Sequence, residues 1–263
     1  MKNIKQDNRE INQVICGDCL EVMKGIPDKS IDMILADLPY GTTACKWDTI
    51  IPFEPLWEQY ERIIKDNGAI VLTASQPFTT KLIDSKIELY KYNWVWKKAK
   101  PTGFSHSKNM PLKDYEDIVV FSKGSIGHAH LIKNRMEYNP QGVYEVSRKI
   151  KRSTKGFSGT MERKSQSNEY TGKLSGFPKM VIEFSNVIQG TVHPTQKPVA
   201  LLEYLIKTYT NEGDLVLDNV AGSGTTGVAC INLNRNYILI EKEPKYVNII
   251  RERLKQITNL KEK

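Results

Sequence analysis

IDMILADLPYG, residues 31–41, is a nearly unbroken apolar run that ends on a carboxylate, a proline and an aromatic ring. Ile31, Met33, Ile34, Leu35 and Ala36 suit a strand covered on both faces, as in a parallel sheet flanked by helices. Pro39 cannot donate to a ladder and Gly41 permits a turn, so DLPYG is expected to break the strand. Ligands of open α/β sheets bind at the carboxyl ends of strands. Asp37 and Tyr40 therefore land where chemistry is expected.

A second stretch with the same logic lies far downstream. Residues 214–227, DLVLDNVAGSGTTG, form an apolar strand ending in Asp218 and then a glycine-rich turn. Gly222, Gly224 and Gly227 fit G-x-G-x-x-G and lead into a helix-like run, 228–233. Glu241 follows a third apolar strand, 236–240, and stands 19 positions after Gly222. Glycines let a ligand approach the backbone, and a carboxylate at the end of the next strand can accept hydrogen bonds from ribose hydroxyls. A nucleoside cofactor fits this spacing.

DLPY, AGSGTT and the HPTQKP of residues 193–198 together resemble the amino-group DNA methyltransferases, which modify adenine N6 or cytosine N4. The order of the pieces is similar to the beta class, in which the catalytic motif precedes the target-recognition region and the cofactor motif follows it. The resemblance runs from about residue 15 to about residue 254, with only the middle unmatched. Leu38 stands where the family usually has proline, and Asn219-Val220 where it usually has Pro-Phe.

The resemblance implies S-adenosylmethionine as cofactor, double-stranded DNA as partner, and adenine N6 as target, because aspartate at position 37 goes mostly with adenine and serine with cytosine. Catalysis is then expected from Asp37, Leu38, Pro39 and Tyr40. Asp18, Lys197, Asp218, Ala221, Gly222, Ser223, Gly224, Thr225 and Glu241 are the expected cofactor contacts, with Asp18 at the adenine and Glu241 at the ribose. The family also leaves room for a homodimer and for a cognate restriction endonuclease.

The chain has 263 residues, 40% of them hydrophobic, enough for one α/β domain carrying a large insertion. Its formal charge of +8 favours a polyanionic partner. No segment reaches the roughly 18 consecutive apolar residues of a membrane span, and the start lacks a signal-peptide core, so a cytoplasmic protein is expected. Cys16, Cys19, Cys45 and Cys230 do not form a disulfide framework. Cys16 and Cys19 are spaced C-x-x-C, but no second ligand pair is suitably spaced among His106, His128, His130 and His193, so no metal is expected.

Read in order, strand-like segments at 13–16, 31–36, 69–73, 91–96, 117–121, 214–218 and 236–240 alternate with helix-like ones. The expected fold is a doubly wound, mostly parallel seven-stranded α/β sheet, circularly permuted, with an inserted basic target-recognition region. Residues 1–122 would form the catalytic half, 123–190 the insert and 191–263 the cofactor-binding half. Within the insert, residues 148–164 carry seven basic residues against Glu162 alone, a net of +6 out of the chain's +8. By composition this is either a solvated linker or a segment that orders on DNA. Candidate DNA contacts are Arg148, Lys151 and Arg152 in the insert, Trp47 in the loop 42–52, and Lys97, Lys98 and Lys100 beside Trp94, Trp96 and Phe104.

Three other readings fit parts of the sequence. A nicotinamide-dependent oxidoreductase fits the glycine-rich turn and distant carboxylate but leaves DLPYG and the basic insert unexplained. A DNA-binding homologue without catalysis is motivated by Leu38, Asn219 and Val220. A methyltransferase acting on an RNA base or a protein amide would use a related motif.

Overall fold

The computed structural model describes residues 5–6, 9–42, 48–127, 133–151, 169–186 and 196–261. Their elements run β1 (Lys5–Gln6), β2 (Arg9–Glu10), β3 (Gln13–Cys16), α1 (Cys19–Met23), β4 (Ile31–Ala36), α2 (Phe53–Ile63), β5 (Ile64–Ala74), α3 (Phe78–Asp84), β6 (Tyr90–Thr102), β7 (Lys113–Phe121), β8 (Tyr144–Lys151), β9 (Glu169–Ser175), β10 (Val181–Phe184), α4 (Val199–Tyr209), β11 (Leu215–Asp218), α5 (Thr225–Asn232), β12 (Asn236–Glu241) and α6 (Pro244–Lys261). Residues 140–179 form one compact unit and the rest of the chain another.

In the larger unit, the strands form one sheet in the order β10-β6-β7-β5-β4-β11-β12-β3. All its pairings are parallel except those of β7, which runs antiparallel to both β5 and β6. The two-stranded pair β1-β2 stands apart from this sheet. The carboxyl ends of β5, β4, β11, β12 and β3 therefore share one edge, and Asp37, Asp218 and Glu241 come to it on neighbouring strands.

Each inner strand splits its side chains between two cores. Ile34, Ala36, Ile70, Leu72, Leu217 and Ile240 pack with Met23, Leu56, Trp57, Tyr60 and Leu82 of α1, α2 and α3. Met33, Leu35, Val71, Val216 and Leu239 pack on the other face with Leu201, Leu205, Val228, Ala229, Ile250 and Leu254 of α4, α5 and α6. Burial on both faces is why these strands read as continuous apolar runs. In α2 the buried Leu56, Trp57, Tyr60 and Ile63 follow the helical spacing that makes one apolar stripe.

The sheet departs from the sequence reading in three places. It has eight strands, because β10 adds to the edge beside β6 from within the stretch assigned to the insert. Strand β5 starts at Ile64 rather than residue 69, directly after α2. Gly68 is needed there, since a Cβ would lie 2.7 Å from the Asp32 carbonyl oxygen of the neighbouring strand. Strand β6 continues to Thr102, six residues beyond its expected end at Trp96, with mostly exposed residues that leave no apolar pattern.

The smaller unit is a β-hairpin: β8 and β9 pair antiparallel, from Tyr144 opposite Ser175 to Lys151 opposite Glu169. The sequence reading found no periodicity here. Among the described residues, no helix is long and apolar enough to cross a membrane.

Candidate active site at the carboxyl edge of the sheet

Asp37 is the first residue beyond β4, and three side chains converge on it. Tyr40 donates its hydroxyl hydrogen to Asp37 Oδ1 at 2.8 Å, and Thr73 near the end of the adjacent β5 donates to the same oxygen. Lys197, just before α4, places Nζ 2.5 Å from Oδ2. Asp48 accepts from the Gly41 and Thr42 amides at 2.8 and 2.9 Å, which fixes the turn after Tyr40. Gly41 takes a left-handed φ of 66° in that turn, where a side chain would be strained. One face of the Tyr40 ring stacks on Phe78, with centroids 5.2 Å apart and planes inclined 27°.

The corner is electrostatically crowded. Burial, then the Asp37 charge, hold the Tyr40 phenol well above its ordinary value, so it stays a donor. Lys197 is only 10% exposed. Burial pulls its pKa down, but Asp37 and Glu116 outweigh it, and the ammonium ends above its ordinary value. Glu116 of β7 lies 3.5 Å from Lys197 through Oε2 and 2.5 Å from Lys98 Nζ through Oε1. The array Asp37, Lys197, Glu116, Lys98 thus alternates in sign.

On the next strand over, the chain builds a second polar group. Asp218 accepts from Thr226 Oγ1 at 2.5 Å and from the Val220 amide at 3.1 Å. Its burial nonetheless pushes the carboxyl up to about 7, against those two hydrogen bonds and with help from the Asp37 and Glu241 charges. Glu241 accepts from the Gly222 amide at 2.8 Å and from the Glu243 amide at 2.9 Å. Gly222 and Gly224 have φ of 53° and 74°. Arg253 of α6 braces the turn from behind, donating to the Ser223 carbonyl at 2.9 Å and to Thr225 Oγ1 at 3.1 Å. Asp18 is exposed and caps α1 through the Leu20 amide at 3.0 Å.

A DNA methylase family model of the N6/N4 type matches residues 31–252, a span that includes Asp37, Lys197, Asp218 and Glu241. The chain belongs to this family. Among curated relatives it is 30% identical over 264 residues to the DNA adenine methyltransferase YhdJ of Escherichia coli K12, covering 93% of this chain and 83% of the relative. It is 28% identical over 259 residues to the type II methyltransferase M.HpaI of Haemophilus parainfluenzae, covering 92% and 74%. Of solved structures, the M1.HpyAVI–SAM complex superposes with a TM-score of 0.59 at 25% identity, covering 92% of this chain and 99% of that one. The cytosine-N4-specific PvuII methyltransferase superposes at 0.64 with 15% identity, a likeness of fold.

The residues expected to act together in this DNA methylase lie in two sets. Asp37, Leu38, Pro39 and Tyr40 cap β4, with Leu38 buried. Asp218 ends β11 and Ala221, Gly222, Ser223, Gly224 and Thr225 follow it, Glu241 ends β12, and Asp18 follows β3, where Lys242 approaches it at 3.5 Å. Lys197, expected beside the cofactor, holds Asp37. Lys98 is not on the surface: it is 10% exposed, paired with Glu116 and set over the Trp96 ring at 5.2 Å. A buried, engaged ammonium is not presented to a phosphate. Lys97 is exposed but paired with Glu183 at 2.8 Å, and Lys100 is exposed. Trp47, Arg152 and His193 lie outside the described residues, as do the side chains of Arg148 and Lys151. Cys16 is exposed and Cys19 buried, both free thiols.

Sequence reasoning missed Thr73, Glu116, Phe78 and Arg253. A signal existed for Glu116, since a carboxylate at the head of a strand that is otherwise buried needs a partner. None marked Arg253 among the charges of α6.

Proposed function

We propose that this DNA methylase transfers a methyl group from S-adenosylmethionine to the N6 amine of an adenine turned out of duplex DNA. The observation that carries the reading is the Asp37 carboxylate at the tip of β4, held by Tyr40, Thr73 and Lys197, one strand away from the Asp218 turn. The residues around that turn fit a nucleoside cofactor: left-handed glycines open the backbone, and half-buried Glu241 and exposed Asp18 offer acceptors for ribose and adenine. Bound there, S-adenosylmethionine supplies an activated methyl group on a sulfonium.

The rest is done by this chain's own groups. Adenine's amine is a poor nucleophile because its lone pair is delocalised into the ring. Asp37 accepts one amine hydrogen and the Leu38 carbonyl the other, which aims the lone pair and stabilises the charge that develops on nitrogen. Hydrogen bonds to charged groups contribute about 1.5–3 kcal/mol each. Holding the amine in line with the methyl donor can supply up to about 7–11 kcal/mol of the barrier. No acid–base pair is needed before transfer: the nitrogen's new bond to the methyl carbon would replace that carbon's bond to sulfur, and the nitrogen would then release one hydrogen as a proton to water.

Turning the base out of the duplex costs a few kcal/mol. Stacking on the Tyr40 face opposite Phe78 offsets about 1–3 kcal/mol of that. Aspartate rather than serine at position 37 supports adenine over cytosine, in line with the name of the E. coli relative.

The test is single-base methylation sequencing of DNA from a methylation-free host expressing the wild-type chain or Asp37→Ala. N6-methyladenine in one short sequence context, lost in the variant, is the expected result. N4-methylcytosine in its place would reassign the base, and unmodified DNA in both hosts would reject the reaction.

A further inference from the structure

Both oxygens of Asp37 are already engaged. Oδ1 accepts from the Tyr40 and Thr73 hydroxyls, and Oδ2 from Lys197 at 2.5 Å. An amine that donates to this carboxylate has to displace one of them. Displacing Lys197 from Asp37 leaves a buried ammonium in need of another anion.

A second seat lies beside the first. Glu116 Oε2 is buried, stands 3.5 Å from Lys197 Nζ and, among the described residues, has no hydrogen-bond partner. The other oxygen of the same carboxylate is tied to Lys98 at 2.5 Å, and both of those side chains are about one-tenth exposed. The acceptor is therefore fixed in place while Oε2 holds Lys197 only as a loose ion pair, without a hydrogen bond among the described residues.

We propose that Glu116 is a positioning residue for methyl transfer: as the target amine takes Asp37 Oδ2, the Lys197 ammonium moves onto Glu116 Oε2. The proposal rests on Asp37 being the amine acceptor, as argued above. The shift needed is under about an ångström, from 3.5 Å to the 2.7–2.9 Å of a charge-assisted hydrogen bond. A lysine stem with four rotatable bonds allows it. No proton changes hands, and the net charge of the corner is the same before and after. Asp37 thereby exchanges a lysine donor for a substrate donor without leaving any buried charge unpaired.

The experiment is single-turnover transfer of labelled methyl from the preformed protein–S-adenosylmethionine complex to unmethylated genomic DNA. The proteins are wild type, Glu116→Gln, Glu116→Asp and Asp37→Ala. Glu116→Gln is expected to slow the transfer step at least tenfold while S-adenosylmethionine and DNA affinities stay within twofold. Glu116→Asp, which keeps the charge, is expected to recover part of that loss. A glutamine variant that transfers at the wild-type rate, or loses rate and both affinities together as a structural lesion would, overturns the proposal. Should it melt below the assay temperature, Glu116→Asp decides alone, with a three- to tenfold loss expected and the wild-type rate overturning it. Asp37→Ala separates the two claims: its activity at the wild-type rate removes the acceptor itself, whereas its inactivity beside an unaffected Glu116→Gln removes only the role of Glu116.

Discussion

The Asp37 corner and the Asp218 turn of this methylase sit on neighbouring strands but are built by opposite means. At the turn, the contacts are mainly local and made by backbone: Asp218 to the Val220 amide and Thr226, Glu241 to the Gly222 amide, glycines with positive φ. At the corner they are side-chain contacts between distant segments: Asp37 with Thr73 and Lys197, Lys197 with Glu116, Glu116 with Lys98. A backbone cradle suits a ligand whose shape does not change. Charged side chains on flexible stems suit a step in which partners are exchanged.

The largest expected effect separates the two regions by function. Asp37→Ala should lower the single-turnover rate by about a hundredfold or more, the scale for losing one acceptor of developing charge, while leaving S-adenosylmethionine affinity within twofold. Glu241→Gln should do the reverse, weakening cofactor binding about tenfold with little change in rate at saturation. Calorimetric titration beside rapid quench measures both, and a shared loss in either variant would erase the distinction.

A smaller effect probes the backbone cradle. Gly224 has φ of 74°, and a Cβ there would lie 2.7 Å from Ile250 of α6, so Gly224→Ala should destabilise the fold by about 1–3 kcal/mol in chemical denaturation. Gly103, at φ of 89° with open space around it, should tolerate alanine with only the backbone part of that loss. Equal losses at both glycines would deny the close packing of the turn on α6.

A further effect is in pH. Burial raises the Asp218 carboxyl from 3.8 to about 7, so the folded state holds a proton that the unfolded state releases in that window. Its contribution to stability is full below the lower value and is lost as pH rises through the upper one, by up to about 1.4 kcal/mol per pH unit. Asp218→Asn should flatten that decline between pH 4 and 7, and an unchanged slope in denaturation curves would place it elsewhere.

The same contrast explains what the sequence could tell. The β4 and β11 strands, their terminal carboxylates and the glycine-rich turn were legible because each is local: apolar run, then Asp, then Gly or Pro. Lys197 was legible as a motif residue but its partner was not, since nothing in a linear text joins position 197 to position 37. Lys98 was read as a phosphate contact because its buried carboxylate lies 18 positions away across a hairpin. The β10 strand was lost for a different reason: four residues at a sheet edge, of which only Ile182 is buried, are too few to leave a period. The β8-β9 hairpin escaped likewise, its sequence being dominated by charge and small residues.

The reversed direction of β7 has a use of its own. Strand β6 ends, and β7 begins, at the edge where the parallel strands deliver Asp37 and Asp218, so residues 103–112 are a short return whose two feet both stand at the working edge. Elsewhere in a parallel sheet, altering a connection at that edge means altering a whole crossover through a helix. Here the return can be lengthened, shortened or exchanged while the ladders beneath it keep their register, with Phe104 and Met110 already projecting from it. For anyone wishing to retune what this enzyme reaches, that turn is the natural place to graft.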